Sequence, residues 1–122
     1  MPVKYRFDAN ITVIEMTGEY SMDELRTAFL DSLADNDRPA DSFLLINLTE
    51  SLSFKNRPSN DIKAMASFVA SLGKRFNNRI ALVAPDDLRY GLIRMGSSAV
   101  DQGGIDSRVF RDFTKARNWL LS

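Results

Sequence analysis

An unbroken apolar run, Ile80 to Ala84, constrains the fold of this 122-residue chain more than any other feature. A strand without polar alternation is expected only where both faces of a sheet are covered, so the run predicts an interior strand between layers of helices. Pro85 has no N–H to donate to a sheet and fits the first turn of a helix. Asp86 or Asp87 can accept hydrogen bonds from the unpaired amides there. The sequence therefore predicts a buried strand that passes directly into a helix.

The rest of the chain alternates between strand and helix patterns. A β-branched run, Ile11 to Thr17, follows the turn residues Asp8 to Asn10 and predicts a hairpin with the residues before them. Ser21 and Glu24 have the spacing of a capping box, which predicts the start of a helix. The later predicted segments are a strand at 43–48, a loop at 49–58, a helix beginning near Ser59, the strand at 80–84 with its helix, a short strand at 108–110 and a closing helix at 112–121.

This order predicts a single α/β domain over residues 1–122. We expect a mostly parallel central sheet of about five strands, with an N-terminal antiparallel hairpin and four helices packed on its two faces. Sheets of this type bind ligands outside the carboxyl ends of their strands. The segments predicted at those ends are residues 49–59, residues 85–90 and the turn around Asp112.

Composition excludes several classes of function. The chain has no cysteine and no histidine, which excludes disulfides, thiolate or imidazole metal ligands and catalytic triads based on either residue. Its formal net charge is zero, which argues against nucleic acid or an anionic membrane as the main partner. No apolar run is long enough for an integral membrane segment and no signal peptide is recognisable, so we expect a cytoplasmic protein. The basic residues near the C-terminus, interrupted by Asp106 and Asp112, are typical of a solvated face with local ion pairs.

The run from Arg79 to Gly91, together with Val109 to Asp112, Ala116-Arg117 and Trp119-Leu120, resembles the bacterial STAS-like family. This family, also called SpoIIAA-like, is related to anti-sigma-factor antagonists, and its fold is often compared with CRAL-TRIO lipid-binding domains. The resemblance covers nearly the whole chain and is most specific at the Ala-Pro-Asp-Asp segment that begins at Ala84.

Anti-sigma-factor antagonists carry an Asp-Ser-Ser or Asp-Ser-Thr turn before the second helix, where a partner kinase phosphorylates a serine. Residues 56–61 of this chain have no such motif, so only Ser59 can be carried over from the resemblance as a phosphorylation site. A helix N-terminus would stabilise a phosphate, but serine is also the preferred N-cap residue. Both interpretations of Ser59 stay open at this stage.

Two groups of side chains are candidates for a binding site. The first lies at the predicted mouth formed by the strand ends and comprises Phe54, Lys55, Arg57, Asp86 and Asp87. Its two aspartates could act as an acid/base pair or hold magnesium, and they equally suit capping of the helix, where they would disfavour a phosphate.

The second group lies on the helix after Pro85 and comprises Arg89, Tyr90, Ile93 and Arg94. These residues fall on a flank away from the predicted core stripe of that helix, and tyrosine and arginine are enriched at interface centres. The flank could instead pack on a neighbouring helix of the same domain.

These observations favour a non-catalytic regulatory module that acts through protein–protein interaction with a partner or as a homodimer, without cofactor or metal. The first alternative is a carrier or sensor of an apolar small molecule or lipid, in which Phe54, Met65, Phe68 and Tyr90 would line a cavity. A carboxylate- or metal-dependent enzyme centred on Asp86 and Asp87 is the second alternative.

Overall fold

The computed structural model describes residues 3–18, 21–39, 42–51, 67–69, 71–76, 79–84 and 106–122. Five strands in these ranges form one sheet, in the order β1-β2-β3-β4-β5. The strands are β1 (Val3–Asp8), β2 (Ile11–Gly18), β3 (Phe43–Ser51), β4 (Arg79–Val83) and β5 (Asp106–Phe110). The helices with defined ends are α1 (Met22–Ala34) and the C-terminal helix (Phe113–Leu121), and residues 67–69 and 71–72 are helical before a 3₁₀ turn at Gly73–Phe76.

The sheet is mixed, as predicted. β1 pairs antiparallel with β2, and the pairs β2-β3, β3-β4 and β4-β5 are all parallel. The hairpin turn uses Ala9 in the left-handed region, with φ of 52°. The loop predicted to begin at residue 49 is wrong at its start, because β3 continues to Ser51. Glu50 and Ser51 pair with Thr17 and Gly18 beyond a register shift that gives β3 one extra residue, and this pairing keeps the chain extended.

The prediction of an interior strand at the apolar run is confirmed. β4 lies between β3 and β5, and Ile80, Ala81, Val83 and Ala84 are buried, while Leu82 is half-buried. The predicted number of four helices differs slightly from the structure. The described residues contain two α-helices with defined ends and helical residues at 67–69 and 71–72, which precede the 3₁₀ turn. The helix predicted after Pro85 lies outside the described residues.

α1 begins where the capping box predicts. The Ser21 hydroxyl accepts a hydrogen bond from the Glu24 N–H, and the Glu24 carboxylate accepts one from the Ser21 N–H, both at 3.1 Å. These reciprocal bonds satisfy amides that have no partner within the helix. After Ala34, the Asp35 carboxylate accepts the Asp37 N–H at 2.9 Å, so a local turn replaces the next helical turn.

Two hydrophobic cores lie on opposite faces of the sheet. The first core lies between the sheet, α1 and the helical stretch at 67–76, and the second lies between the sheet and the C-terminal helix. Parallel strands in sequential order with right-handed crossovers place their connecting helices on one face, which explains why α1 and residues 67–76 share a side. The C-terminal helix follows the last strand and covers the other face. The two main sets of core residues are Ile14, Leu25, Phe29, Leu44, Ile46, Phe76 and Ile80 in the first core, and Ile11, Val13, Leu45, Ala81, Val83, Ala116 and Leu120 in the second.

Candidate functional site

The carboxyl ends of the parallel strands form a stepped edge of the sheet. Asn47 of β3 is paired with Val83 of β4, which is paired with Phe110 of β5, so β4 and β5 end at the same level. β3 continues beyond Asn47 to Ser51, opposite Glu15 to Gly18 of β2, which at ~3.3 Å per residue of β2 extends it by about 10 Å. β2 reaches the same height, because Gly18 pairs with Ser51. At this edge, β2 and β3 therefore extend beyond the ends of β4 and β5.

Both segments that contain the predicted site residues leave the sheet at this edge. One segment follows Ser51 of β3, and the other follows Ala84, directly after β4. Ala84 is fully buried and its N–H donates to the Phe110 carbonyl at 2.8 Å, so the chain is held to the sheet as far as Ala84. The predicted residues themselves lie outside the described residues; they are Phe54, Lys55, Arg57, Ser59, Asp86, Asp87, Arg89, Tyr90, Ile93 and Arg94, together with Met65.

The turn around Asp112, the third segment predicted at this edge, has a structural role in the described residues. The Asp112 carboxylate accepts a hydrogen bond from the Thr114 N–H at 2.7 Å and forms the N-cap of the C-terminal helix. The carboxylate also lies at the positive end of the helix dipole. Capping is thus sufficient to account for an aspartate at this position.

Phe68, which the sequence placed among the residues of a predicted apolar cavity, packs against the first core. Its ring meets Phe29 edge-on, with centroids 5.6 Å apart and an interplanar angle of 88°. Phe29 is fully buried and Phe68 partly so. Edge-to-face packing of this kind is a common way to fill a core, so this side chain is engaged in packing between α1 and the helical stretch.

A cluster of arginine and aromatic side chains lies on the face of the sheet that the C-terminal helix covers. The guanidinium carbon of Arg79 lies 4.6 Å from the centre of the Trp119 ring, and that of Arg108 lies 5.1 Å from it. Phe110 lies 5.8 Å from the same indole. Arg79 also donates long hydrogen bonds to the carbonyls of Leu120 (3.5 Å) and Ser122 (3.4 Å). We call Arg79, Trp119 and Arg108 the arginine–tryptophan stack.

The same face carries two ion pairs, one between the hairpin and the C-terminal helix and one between the two strands of the hairpin. Arg117 of the C-terminal helix donates from Nε and Nη2 to the Asp8 carboxylate, at 2.9 and 3.3 Å. This hydrogen bonding with Arg117 holds the pKa of the Asp8 carboxyl below its ordinary value, although partial burial opposes the shift. Arg6 pairs with Glu15 at 2.8 Å and lies over the Phe113 ring at 5.4 Å.

On the α1 side, Tyr5 and Asp35 connect the edge strand to the helix end. The Tyr5 hydroxyl donates to the Asp35 carboxylate at 2.7 Å. This bond is the main reason why the pKa of Tyr5 is raised. The pKa of Asp35 is lowered, chiefly by the backbone N–H of Asp37 and secondly by Tyr5. These shifts follow from a structural contact between β1 and α1.

Sequence reasoning missed the arginine–tryptophan stack, although one signal for it was available. Arg108 and Phe110 are two residues apart in β5 and so share a face of the sheet. Arg79, at the start of β4, and Trp119, near the end of the last helix, reach the same face only once strand order and helix placement are known. The alternation that separates Lys4, Arg6 and Asp8 from Val3, Tyr5 and Phe7 could likewise have assigned β1 to two different environments.

The fold is similar to that of a solved bacterial structure. The chain superimposes on an uncharacterized protein of the DUF3478 family with a SpoIIAA-like fold from Shewanella loihica PV-4, with a TM-score of 0.63 and 18% sequence identity. The match covers 97% of this chain and 91% of the other. No protein-family model matches the sequence, and no curated protein matches it. The chain therefore has a SpoIIAA-like fold, as its resemblance to the STAS-like family implies.

Within the described ranges, no helix has both the length and the apolar character needed to cross a membrane. In that same part of the chain, no group of three or more acidic side chains is placed to hold a metal ion.

Proposed function

We propose that this chain is a non-catalytic, cytoplasmic module that binds another protein or a second copy of itself through the carboxyl-end edge of its sheet. The binding residues of this strand-end surface are Phe54, Lys55, Arg57, Asp86, Asp87, Arg89, Tyr90, Ile93 and Arg94. The observation that carries the proposal is that the two segments holding these residues leave neighbouring parallel strands, β3 and β4, at one edge. A surface built from both segments is thereby favoured over two separate sites.

The packing of side chains in the interior favours an interaction at the surface. Apolar side chains on both faces of the sheet pack against each other, and members such as Leu45 and Ile80 are fully buried. Phe68, one of the side chains considered for an apolar cavity, packs edge-on against Phe29. These contacts favour binding outside the domain over carriage of a lipid inside it. The absence of histidine and cysteine from the sequence favours binding over catalysis.

A double substitution tests the strand-end surface directly. Tyr90→Ala with Ile93→Ala removes an aromatic and an aliphatic side chain of the kind that dominate interface energetics. We expect the purified variant to lose the self-association that sedimentation velocity detects for the wild type, or to lose a protein that the wild-type chain captures from extracts of the source cells. Truncation of one hot-spot residue at the centre of an interface costs about 2 kcal/mol or more, so the loss should exceed tenfold.

Leu30→Ala with Leu121→Ala is the matched control. These leucines are 52% and 40% exposed and lie on α1 and on the C-terminal helix, away from the stepped edge. The control should retain the wild-type sedimentation and capture pattern, and thermal melting should show that both double variants are folded. Identical behaviour of the wild type and the Tyr90/Ile93 variant in both assays would contradict the proposal, as would unfolding of that variant.

Native mass spectrometry tests the carrier alternative on the same sample. A module that binds proteins at its surface should appear at the mass of the chain or of its complexes, and solvent extraction should release no lipid. A reproducible small apolar molecule bound in equal amount to the protein would favour the carrier. For the enzyme alternative centred on Asp86 and Asp87, added Mg²⁺ should raise the melting temperature if the folded chain binds the ion, and we expect no such increase.

A further inference from the structure

Charged side chains are distributed unevenly between the two sides of the sheet, although the whole chain has a formal net charge of zero. Among the described residues, basic groups outnumber acidic ones on the side of the C-terminal helix, and acidic groups outnumber basic ones around α1. The basic residues on the side of the C-terminal helix are Lys4, Arg6, Arg79, Arg108, Lys115 and Arg117. The acidic residues there are Asp8, Glu15, Asp106 and Asp112.

Much of the negative charge on this side is already engaged. Asp8 is held by Arg117, Glu15 pairs with Arg6, and Asp112 caps the C-terminal helix. Asp106, in contrast, lies 4.0 Å from Arg108, and the two side chains are 58% and 60% exposed. An exposed contact of this length is worth little. Once the pairs Asp8–Arg117 and Glu15–Arg6 are set aside, the basic groups that remain are Lys4, Arg79, Arg108 and Lys115, and two of the four belong to the arginine–tryptophan stack.

The geometry of the stack suits a carboxylate. A guanidinium can make a cation–π contact through its face and hydrogen bonds through its N–H edge. That edge is the part of arginine that binds a carboxylate through two parallel hydrogen bonds. The N–H groups of Arg79 are bonded to Leu120 and Ser122, so Arg108 is the arginine proposed to bind the ligand. Arg79 donates to the carbonyls of Leu120 and Ser122, and this contact counters the partial negative charge of the helix end. Arg108, at 60% exposure, is the more accessible of the two arginines.

We propose that the arginine–tryptophan stack is the centre of a second binding surface, which receives a carboxylate-rich segment of a partner protein. Charge complementarity selects this occupant, and the zero net charge of the chain and its pI near 6.2 favour a moderately acidic peptide over a nucleic acid. The stack extends from Arg79, the first residue of β4, to Arg108 in the middle of β5, and shares no residue with the strand-end surface. The two surfaces can therefore be tested independently.

Trp119 is the only tryptophan of the chain and reports binding from within the proposed surface. An oligo-glutamate peptide titrated into the full chain at low salt should change Trp119 fluorescence in a saturable way. Anisotropy of a fluorescein-labelled version of the same peptide gives its affinity. The affinity should fall as salt is added, because exposed charge interactions are screened. Oligo-lysine and single-stranded oligo-thymidine serve as the comparison probes.

Arg108→Glu replaces an attractive contact by a repulsive one and should weaken oligo-glutamate binding by about threefold or more. Arg26→Glu is the matched control, because Arg26 on α1 is 49% exposed and also has one long contact to a nearby aspartate, 3.6 Å from Asp23. It should bind like the wild type, and so should the Tyr90→Ala/Ile93→Ala variant. Circular dichroism verifies that each variant is folded. Arg108→Gln removes the charge without reversing it and serves as a milder substitution.

Three results would overturn the proposal. The first is the absence of a saturable fluorescence change with oligo-glutamate. The second is equal weakening by Arg108→Glu and Arg26→Glu, which would indicate a general effect of net charge. The third is tighter binding of oligo-thymidine than of oligo-glutamate, which would assign the basic face to phosphate groups. Loss of oligo-glutamate binding in the Tyr90/Ile93 variant would contradict a separate second surface, because the peptide would then depend on the strand-end surface.

Discussion

At the scale of single residues, the buried hydroxyl pair of Thr12 and Ser42 joins the start of β2 to the residue before β3. Both side chains are 0% exposed and their oxygens are 3.0 Å apart. Thr12→Val keeps the shape of the side chain and leaves the Ser42 hydroxyl without this partner. We expect the free energy of unfolding to fall by about 1–3 kcal/mol, the usual cost of an unpaired buried polar group. Urea unfolding followed by circular dichroism measures the change.

The double variant Thr12→Val/Ser42→Ala is the control for this interpretation. Removing both hydroxyls removes the unpaired group, so the double variant should be more stable than the sum of the two single substitutions predicts. Strict additivity of the two single effects would show that the hydroxyls are not energetically coupled, whatever their distance.

The contact between Asp8 and Arg117 predicts how stability depends on pH. Arg117 lowers the pKa of Asp8 in the folded chain, so the unfolded chain binds more protons at pH values between the folded and unfolded pKa. The contribution is fully present above the ordinary aspartate pKa and is lost as the pH falls through the lowered folded value. We therefore expect the melting temperature of Asp8→Asn to fall less steeply than that of the wild type between neutral and acid pH.

Thermal melts at a series of pH values measure this difference. Asp23→Asn is the matched control, because the Asp23 carboxylate is 94% exposed and its nearest guanidinium nitrogen on Arg26 is 3.6 Å away. At neutral pH, Asp8→Asn should melt below the wild type, and the two curves should converge in acid. A constant gap between them at every pH would exclude a contribution from the ionised Asp8 carboxylate.

At the scale of elements, replacing one residue of the β1-β2 turn by glycine should stabilise the folded chain. Ala9 has φ of 52°, and the left-handed region costs a residue with a Cβ roughly 1–2 kcal/mol. Glycine avoids that cost but loses about 0.5–1 kcal/mol through its greater freedom in the unfolded chain. Ala9→Gly should therefore raise the free energy of unfolding by roughly 0.5 kcal/mol, measured by urea unfolding.

Ala34→Gly is the control for the hairpin prediction. Ala34 is the exposed last residue of α1, where glycine has no conformational advantage and lowers helix propensity. It should be neutral or slightly destabilising. A stabilisation of the same size at both positions would mean that the gain at Ala9 has nothing to do with its backbone angle.

Local signals determined which elements the sequence could predict well. The capping box at Ser21 and Glu24 and the turn between β1 and β2 depend on neighbouring residues, and both predictions are confirmed. The end of β3 depends on β2, more than thirty residues earlier, because Ser51 stays extended by pairing with Gly18. A polar stretch such as Thr49 to Ser51 resembles a loop when that partner is not known, which is why the predicted strand was too short.

At the scale of the whole molecule, the fold was more predictable than the surface. The order of strands and helices and the apolar run at Ile80 were enough to predict a mixed sheet covered on both faces. The arginine–tryptophan stack was not predictable, because it joins Arg79, Arg108 and Trp119 from three different elements. A sequence shows the hydrophobic periodicity of each element. Which side chains come into contact on one face depends on strand order and on the path of the last helix.

The two cores share their central strands, which predicts that they unfold together. Along β3, Leu44 and Ile46 point into the first core, whereas Leu45 points into the second. β4 likewise contributes Ile80 to the first core and Ala81 to the second. Loss of either core exposes one face of β3 and β4, and the opposite face of the same strands forms part of the other core. The C-terminal helix should therefore not detach as a separate unit before the rest unfolds.

Variants in each core test this coupling. Phe29→Ala in the first core should cost about 3–5 kcal/mol, and Leu120→Ala in the second should cost about 2–5 kcal/mol. Leu121→Ala, at a side chain that is 40% exposed, is the control and should change stability by no more than about 0.5 kcal/mol. In urea, Trp119 fluorescence reports the second core and far-UV circular dichroism reports the whole molecule, and their midpoints should coincide in every variant. A fluorescence transition that precedes the circular dichroism transition in Leu120→Ala would mean that the C-terminal helix is an independent unit and that the shared strands do not couple the cores.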